Sequence, residues 1–529
     1  MTHHTMHEFD RHADVRAALA DPALVPDLPA ADGGAVGASV AWLRATVARF
    51  SSGEPHARRR ALVEAELARL EPAALREAGA AAGTEGEIRI RVVRTLAEAL
   101  GMSEPGMVAE AVAVVAGAYF GGSDAAADEA VARLVAQLAQ GRADEAGLEA
   151  AANRIGLLVQ ACAATAALVE AAADGDAPLA RVLREVPPVR SMRRIAARPT
   201  RVADREIAEG DVVLLDLATA NRAHPVPLAF GAPPRVCPGR AHALALAEGL
   251  LQRPLTDFAR LHHQDAPLLL PNAWDFASAT ALAEQGFRAI GTTSLGVAAA
   301  AGLPDGAAAT ADMTVALARR LGQGPFLFTV DAEGGFSDDP GEVAQLARTL
   351  HDAGAAGINL EDGRPDGTLA PVELHAAKIA AVKSAAPALF VNARTDTHWL
   401  HVHEEQTAER LAIYEQAGAD GVFVPGLSDA AGIAALTATL VVPLNILYTP
   451  TGPTLAELGA LGVQRVSLGS LLYRRALAAA VTTATAIRDG RPTDLRAPSY
   501  AEVQALGAPG GMPVVAATAR AHPRSWETG

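Results

Sequence analysis

Eight short apolar runs, each followed by a helical stretch, fill the second half of this chain and leave few folds open to it. The runs fall at 268–270, 289–293, 326–331, 357–360, 388–393, 421–424, 443–447 and 465–468. The intervening sequence predicts helices at 274–285, 309–322, 340–353, 371–385, 404–417, 428–439, 454–461 and 470–488. Strands that are apolar on both faces and alternate with helices belong to parallel sheets covered on both sides. Eight such units within residues 254–490 match an α/β fold of the (β/α)8 TIM type in size and number. A doubly wound open sheet is the alternative.

Residues 1–253 have a different texture and read as mainly α. Ala-, Leu-, Arg- and Glu-rich stretches at 36–50, 58–82, 86–101, 106–119, 124–140 and 144–174 predict helices, with one β-like patch at 200–217 turning at Gly210-Asp211. A third segment, 491–529, reads as a C-terminal tail. At 529 residues the chain is too long for one ordinary domain.

Charge narrows the function classes. With 45 Lys and Arg against 60 Asp and Glu, the net charge is −15 and no basic face is evident, so no nucleic-acid partner is expected. The short basic runs 58–60 and 190–194 read as solvated helix faces or local anion contacts. Two cysteines, Cys162 and Cys237, make no disulfide framework and point to a reducing cytoplasm. The N-terminus lacks the apolar core of a secretory signal. The apolar run 156–173 is interrupted by Gln160 and Glu170 and reads as a buried helix, so no membrane association is expected.

In a barrel the chemistry lies at the C-terminal ends of the strands. The third run ends in Asp331-Ala-Glu333-Gly-Gly335, whose two acids are two residues apart and so share one face of an extended segment. The fourth ends in Glu361-Asp362, so neighbouring strands gather Asp331, Glu333 and Glu361. Like charges this close call for a cation, and hard carboxylate oxygens suit Mg2+. Helix capping is the alternative for Asp331 and Glu333. The fifth run ends at Arg394, a bidentate fork for an anion or else a salt-bridge partner of Asp396 or Glu361. The second ends in Thr292-Thr293-Ser294-Leu295-Gly296, a turn able to aim hydroxyls and backbone N–H groups at an anion. Asp305 lies on the loop that follows. A metal beside an anion cradle suits a small 2-oxo or 2-hydroxy acid whose cleavage passes through an enolate.

Five motifs in register carry a resemblance. They are Pro271-Asn-Ala-Trp-Asp275, Thr292-Thr-Ser-Leu-Gly296, Asp331-Ala-Glu-Gly-Gly335, Gly357-Ile-Asn-Leu-Glu-Asp362 and Asn392-Ala-Arg-Thr-Asp396. Over nearly all of 256–490 the chain resembles the isocitrate lyase / phosphoenolpyruvate mutase superfamily. The resemblance implies a Mg2+-dependent carbon–carbon lyase, phosphonomutase or phosphonopyruvate hydrolase. Asp331 would be the direct ligand, with Glu333 and Glu361 holding the metal's waters. Thr293, Ser294 and Leu295 would bind the substrate carboxylate and oxo group, Arg394 would clamp a second anionic group, Asp305 would be the loop acid near the reacting centre, and Asn445 would line the pocket. The family also implies a homo-oligomer, a tetramer that exchanges a C-terminal helix.

The chain departs from that family in one loop above all. The lyases carry a catalytic Cys after the fourth strand, and the mutases and phosphonopyruvate hydrolases a Lys. Here Gly363-Arg-Pro-Asp-Gly-Thr-Leu-Ala-Pro371 has neither, and Pro425-Gly426 replaces the lyase Glu after the sixth strand. Ordinary isocitrate or methylisocitrate cleavage is therefore not expected. Decarboxylation, retro-aldol cleavage and C–P chemistry stay open, with His375 or Arg364 as conceivable substitute acids.

The first half carries a second resemblance. Phe230-Gly-Ala-Pro-Pro-Arg-Val-Cys-Pro-Gly-Arg240, followed by an Ala/Leu helix, resembles the haem-thiolate loop of cytochromes P450. By that resemblance Cys237 would ligate haem iron, and Arg235, His56 and Arg60 would meet the propionates. The domain is shortened and degenerate: Arg181-Val-Leu-Arg184 lacks the usual Glu, and Ala164-Thr165 lacks the oxygen-activating acid. A haem-thiolate monooxygenase or haem sensor, with the barrel as accessory, is the alternative function. A scaffold with both sites decayed is a third.

Overall fold

The structure, a computed structural model, describes residues 4–27, 34–121, 124–139, 144–174, 177–224, 226–492 and 497–507. The chain forms two compact units, Met1–Leu255 and Thr256–Gly529.

The first unit is built around the helix Glu145–Ala173, whose Ile155, Leu158, Val159 and Cys162 are fully buried among helices Ile88–Ala99, Pro105–Ala118 and Ala125–Leu138. This helix is long and apolar enough to cross a membrane by length and composition, yet 56% of its apolar window is buried inside the unit. Asp144 caps its start by accepting from Gly147 N–H at 3.0 Å. The helical stretch expected over 58–82 is two helices, Gly53–Leu67 and Pro72–Ala81, because Pro72 cannot continue a helix and is well placed to start one.

The strands of this unit were harder to foresee. Met6–Phe9, Val212–Asp216, Ser191–Ala196 and Leu24–Val25 form a four-stranded mixed sheet in that order, and Thr200–Val202 pairs with Arg205–Ile207 in a separate hairpin. The basic run 190–194 is therefore no helix face. It lies in the strand Ser191–Ala196, where burial pushes the pKa of Arg194 down to about 10. After the loop that carries Cys237, helix Arg240–Leu250 crosses Pro72–Ala81 at backbone contact. A Cβ on Gly249 would lie 2.1 Å from the Arg76 carbonyl oxygen, and one on Gly79 3.1 Å from that of Leu246.

The second unit is an all-parallel barrel of nine strand segments. Two of them, Leu268–Leu270 and Asn272–Ala273, are one strand interrupted at Pro271, which has no N–H to give to a ladder. The first piece pairs with Arg465–Ser467 and the second with Ala289–Thr292. Leu327–Asp331, Gly357–Glu361, Phe390–Arg394, Gly421–Val424 and Leu444–Leu447 complete the circuit in sequence order. The register sets Asp331 opposite Asn359 and Glu361 opposite Arg394, so the acids and the arginine share one end of the barrel. Of the tail beyond 490, the structure describes helix Tyr500–Leu506, which packs on Phe276–Glu284; residues 508–529 lie outside the described residues.

Candidate functional site

Asp331 ends the third barrel strand and is fixed from both sides. Its N–H donates to Thr292 Oγ1 at 2.8 Å, and its Oδ2 accepts from Ser294 N–H at 3.2 Å. Its Oδ1 is buried and has no hydrogen-bond partner. Two residues on, Glu333 sits at φ +47°, a left-handed conformation that a residue with a Cβ adopts at a cost. That twist turns its buried carboxylate onto the loop after the second strand, where it accepts from Thr310 Oγ1 at 2.7 Å and Ala308 N–H at 3.1 Å. The loop is thereby drawn over the site, and the Asp305 side chain bonds to Ser294.

Arg394, at the end of the fifth strand, does not stand free. Its Nη1 lies 2.7 Å from Glu361 Oε2, and its Nε donates to Asp396 Oδ1 at 2.6 Å. Of the two expectations for Arg394, the salt-bridge arrangement is the one present. Burial raises the pKa values of Glu361, Asp396, Glu333 and Asp305 above the usual carboxylate range, and the charge of Asp331 adds to each. Glu361 and Asp396 thus flank the paired arginine, and Asp331 acts on the ionisation of Glu333 and Asp305 close by.

This arrangement suits a divalent metal. A carboxylate oxygen buried without a donor, among acids whose ionisation is held back by burial and, secondarily, by one another's charge, is what a hard cation would satisfy. Among the described residues no three His, Cys, Asp or Glu side chains converge as a ready ligand set. One direct ligand with flanking acids reached through water, the arrangement Mg2+ favours, does not require such convergence.

Thr293 is buried at the start of helix Ser294–Ala300, followed by partly buried Ser294 and Leu295. Asn445 is buried in the barrel, where its Nδ2 donates to Ser467 Oγ at 3.0 Å. The loop after Glu361 is a closed turn: Gly363 bridges to Leu369, Arg364 N–H donates to the Thr368 carbonyl at 2.9 Å, and the Arg364 guanidinium pairs with Asp338 at 2.7 Å. Buried Asp362 anchors its base, accepting from Tyr414 OH at 2.6 Å, Thr395 Oγ1 at 2.9 Å and Arg410 Nη1 at 3.1 Å. His375 is not a surface residue; it is fully buried against Tyr414, and burial lowers its pKa to about 4.

Sequence reasoning missed the parts that hold this site together. Thr310 and Ala308 carry no motif. Lys378, buried in helix Val372–Ala385, donates to the Gly334 carbonyl at 3.0 Å and to Asp338 at 3.1 Å behind the Glu333 turn. Arg465 had a readable signal, a charge at the head of a short barrel strand.

In the first unit the four residues singled out lie together. Arg60 and Arg235 act electrostatically on His56, and Arg60, Arg49 and Arg240 on Cys237. Cys237 is open to solvent yet so enclosed by surrounding protein that desolvation pushes its thiol pKa up. Arg235 donates to the Ser51 carbonyl at 3.1 Å and Arg60 to that of Val236 at 2.8 Å.

The family model for phosphoenolpyruvate phosphomutase matches residues 258–488. An uncharacterized Mycobacterium tuberculosis protein is 46% identical over 250 residues, 47% of this chain and 95% of its own length. The second half of the chain belongs to the phosphoenolpyruvate mutase / isocitrate lyase superfamily. Other relatives of the barrel include an oxaloacetate decarboxylase of Ectopseudomonas mendocina, 34% identical over 37% of this chain and 71% of its own. A 2-methylisocitrate lyase of Halalkalibacterium halodurans is 30% identical over 42% of this chain and 76% of its own. Among solved structures, a phosphonomutase-like protein of Burkholderia cenocepacia is 38% identical over 43% of this chain and 97% of its own, with a TM-score of 0.41.

Proposed function

We propose that the barrel is a Mg2+-dependent enzyme acting on a small 2-oxo dicarboxylic acid, and that decarboxylation is the reaction its site suits best. The observation that carries this is the unpartnered Oδ1 of Asp331 amid Asp305, Glu333, Glu361 and Asp396. Asp331 would hold the metal directly, and Glu333 and Glu361 would hold its waters. When bound, the ion would supply positive charge beside the 2-oxo oxygen, where negative charge develops.

The closed turn at 363–369 supports decarboxylation over aldol-type cleavage. It brings no Cys or Lys to the barrel mouth, and its Arg364 is paired with Asp338. Loss of CO2 from a 2-oxo diacid needs no protein acid at the bond that breaks. The C3–C4 pair flows toward the C2 oxygen, CO2 departs, and C3 then takes a proton from water. Thr293, Ser294 and Leu295 would receive the C1 carboxylate, and Asn445 would line the pocket beneath. Arg394 would hold Glu361 and Asp396 in place until a substrate carboxylate competes for its guanidinium. The oxaloacetate decarboxylases among the relatives support the same reading.

A panel of oxaloacetate, phosphonopyruvate and alkylmalates, each with Mg2+ or with EDTA, tests it. Turnover of oxaloacetate alone is expected. Preferred cleavage of an alkylmalate or of phosphonopyruvate would replace decarboxylation with lyase or C–P chemistry. We also infer self-association: helix Leu471–Arg488 leaves Leu477, Val481 and Ile487 50%, 63% and 61% exposed, and a homo-oligomer would cover them. Light scattering at the mass of one chain would contradict this.

A second reading belongs to the first unit. The accessible Cys237, with Arg49, Arg60, Arg240 and His56 around it, favours a P450-like haem-thiolate site in which Arg235, Arg60 and His56 neutralise the propionates. Haem would supply redox chemistry at its iron. The reduced CO spectrum of the reconstituted protein is expected to show a thiolate-ligated band that Cys237→Ala abolishes; no band in the unaltered protein removes the reading.

A further inference from the structure

The floor of this barrel is polar, where barrels of the kind are filled mainly by branched apolar side chains. Its centre is Arg465, which opens the last strand and is 1% exposed. Its Nη2 donates to Asn359 Oδ1 at 3.1 Å. Asn359 belongs to the strand Gly357–Glu361 on the opposite side of the barrel, so the guanidinium spans the lumen. Asn392 donates to the same oxygen at 2.9 Å. On the near side Arg465 Nε lies 3.3 Å from Ser467 Oγ, and that hydroxyl exchanges bonds with the Asn445 amide at 3.0 and 3.2 Å. One cation thereby ties together four strands beneath the site.

The charge itself is left over. No carboxylate lies within ion-pair distance of Arg465 among the described residues, its Nη1 has no partner, and neither has Thr329 Oγ1, two residues before Asp331. Burial lowers the arginine's pKa to about 9, and the one charge opposing that fall is Asp331. A buried guanidinium without a carboxylate is costly, and an apolar side chain of similar volume would serve packing better. Above it stands Asp331, the one acid that acts on its charge. Arg394 above is already paired with Glu361 and Asp396, so a doubly negative substrate gains from a further positive charge below.

We infer that Arg465 is a positioning residue for the substrate: it sets the Asn445 amide through Ser467 and places beneath Asp331 the positive charge that lets a dianion bind beside the metal. The inference rests on the metal-site reading of Asp331 and goes beyond it by assigning the acceptance of a dianion to a residue in the lumen.

Calorimetry on the full chain tests it with two probes, Mg2+ alone and then oxalate, a planar dianion, in the presence of Mg2+. Arg465→Met is expected to weaken oxalate at least tenfold while Mg2+ affinity changes less than threefold. Arg465→Lys, which keeps the charge, should recover most of the oxalate affinity. With substrate, the methionine variant should raise KM far more than it lowers kcat. If Arg465→Met does not fold, Ser467→Ala decides, with an expected threefold or greater loss of oxalate affinity. Oxalate binding unchanged in the folded variants overturns the inference and leaves the metal site standing. Absence of Mg2+ binding in the unaltered protein overturns both.

Discussion

Arg394 Nη1 lies 2.7 Å from Glu361 Oε2 inside the barrel mouth, and the same guanidinium holds Asp396 at 2.6 Å. Of the two expectations for this arginine, an anion fork or a partner of Asp396 or Glu361, the pairing with the site's own acids is the arrangement present. Removing one partner of a buried pair leaves an uncompensated charge, at a cost of about 3–5 kcal/mol. Arg394→Met should therefore destabilise the barrel by that order in urea titrations. Adding Glu361→Gln should restore part of the loss, because the stranded carboxylate is gone. Additive losses in the double-mutant cycle would show that the two side chains are not coupled.

The buried histidines should take stability from the barrel in mild acid, against an opposite contribution from the raised carboxylates at its mouth. His262 stacks on Phe390 with ring centroids 4.3 Å apart, and burial lowers its pKa to about 3; that of His375 falls to about 4. The unfolded chain takes up these protons near pH 6.5, and the folded barrel does not until its own lower values are reached. Between roughly pH 6.5 and 4 the unfolded state thus binds more protons at these two sites, and their contribution to stability falls as pH falls. Each histidine contributes a slope of about 1.4 kcal/mol per pH unit within its window. Thermal unfolding of His262→Phe across this range should show a shallower dependence, by about one proton. An unchanged slope would mean that His262 is protonated in the folded barrel.

In the first unit, Gly249 is required by contact with a neighbouring helix. A Cβ there would meet the Arg76 carbonyl at 2.1 Å, backbone against backbone, so no side-chain rotation relieves it. Gly249→Ala should destabilise this unit by at least about 2 kcal/mol and leave the unfolding of the barrel unchanged. Differential scanning calorimetry separates these outcomes, and a wild-type profile would disprove the close crossing of the two helices.

The barrel was legible because its strands are apolar on both faces, and because Asp331, Glu361 and Arg394 end strands whose order the topology fixes. What could not be read is how the side chains satisfy one another. Glu333 turns to Thr310 and Ala308 only because its backbone adopts φ +47°, and no pattern of residue types announces that conformation. Lys378 supports the same turn from a helix 44 residues further on, a separation at which periodicity carries no information. The run at 190–194 misled because Ser191–Ala196 carries arginines and takes its partners from Val212–Asp216 and the distant Leu24–Val25, so local composition argued against a strand. Arg465 opens the last barrel strand, and its reach to Asn359 appears only when the barrel closes.

The most direct test is the decarboxylation of oxaloacetate by the purified chain, followed as pyruvate formed, with Mg2+ and with EDTA, in the unaltered protein and in Asp331→Asn. The metal-centred account predicts turnover with Mg2+ and a return to the spontaneous rate with EDTA. It also predicts a loss of at least a hundredfold in Asp331→Asn, with folding unchanged. Oxaloacetate turnover that survives both EDTA and Asp331→Asn would contradict it.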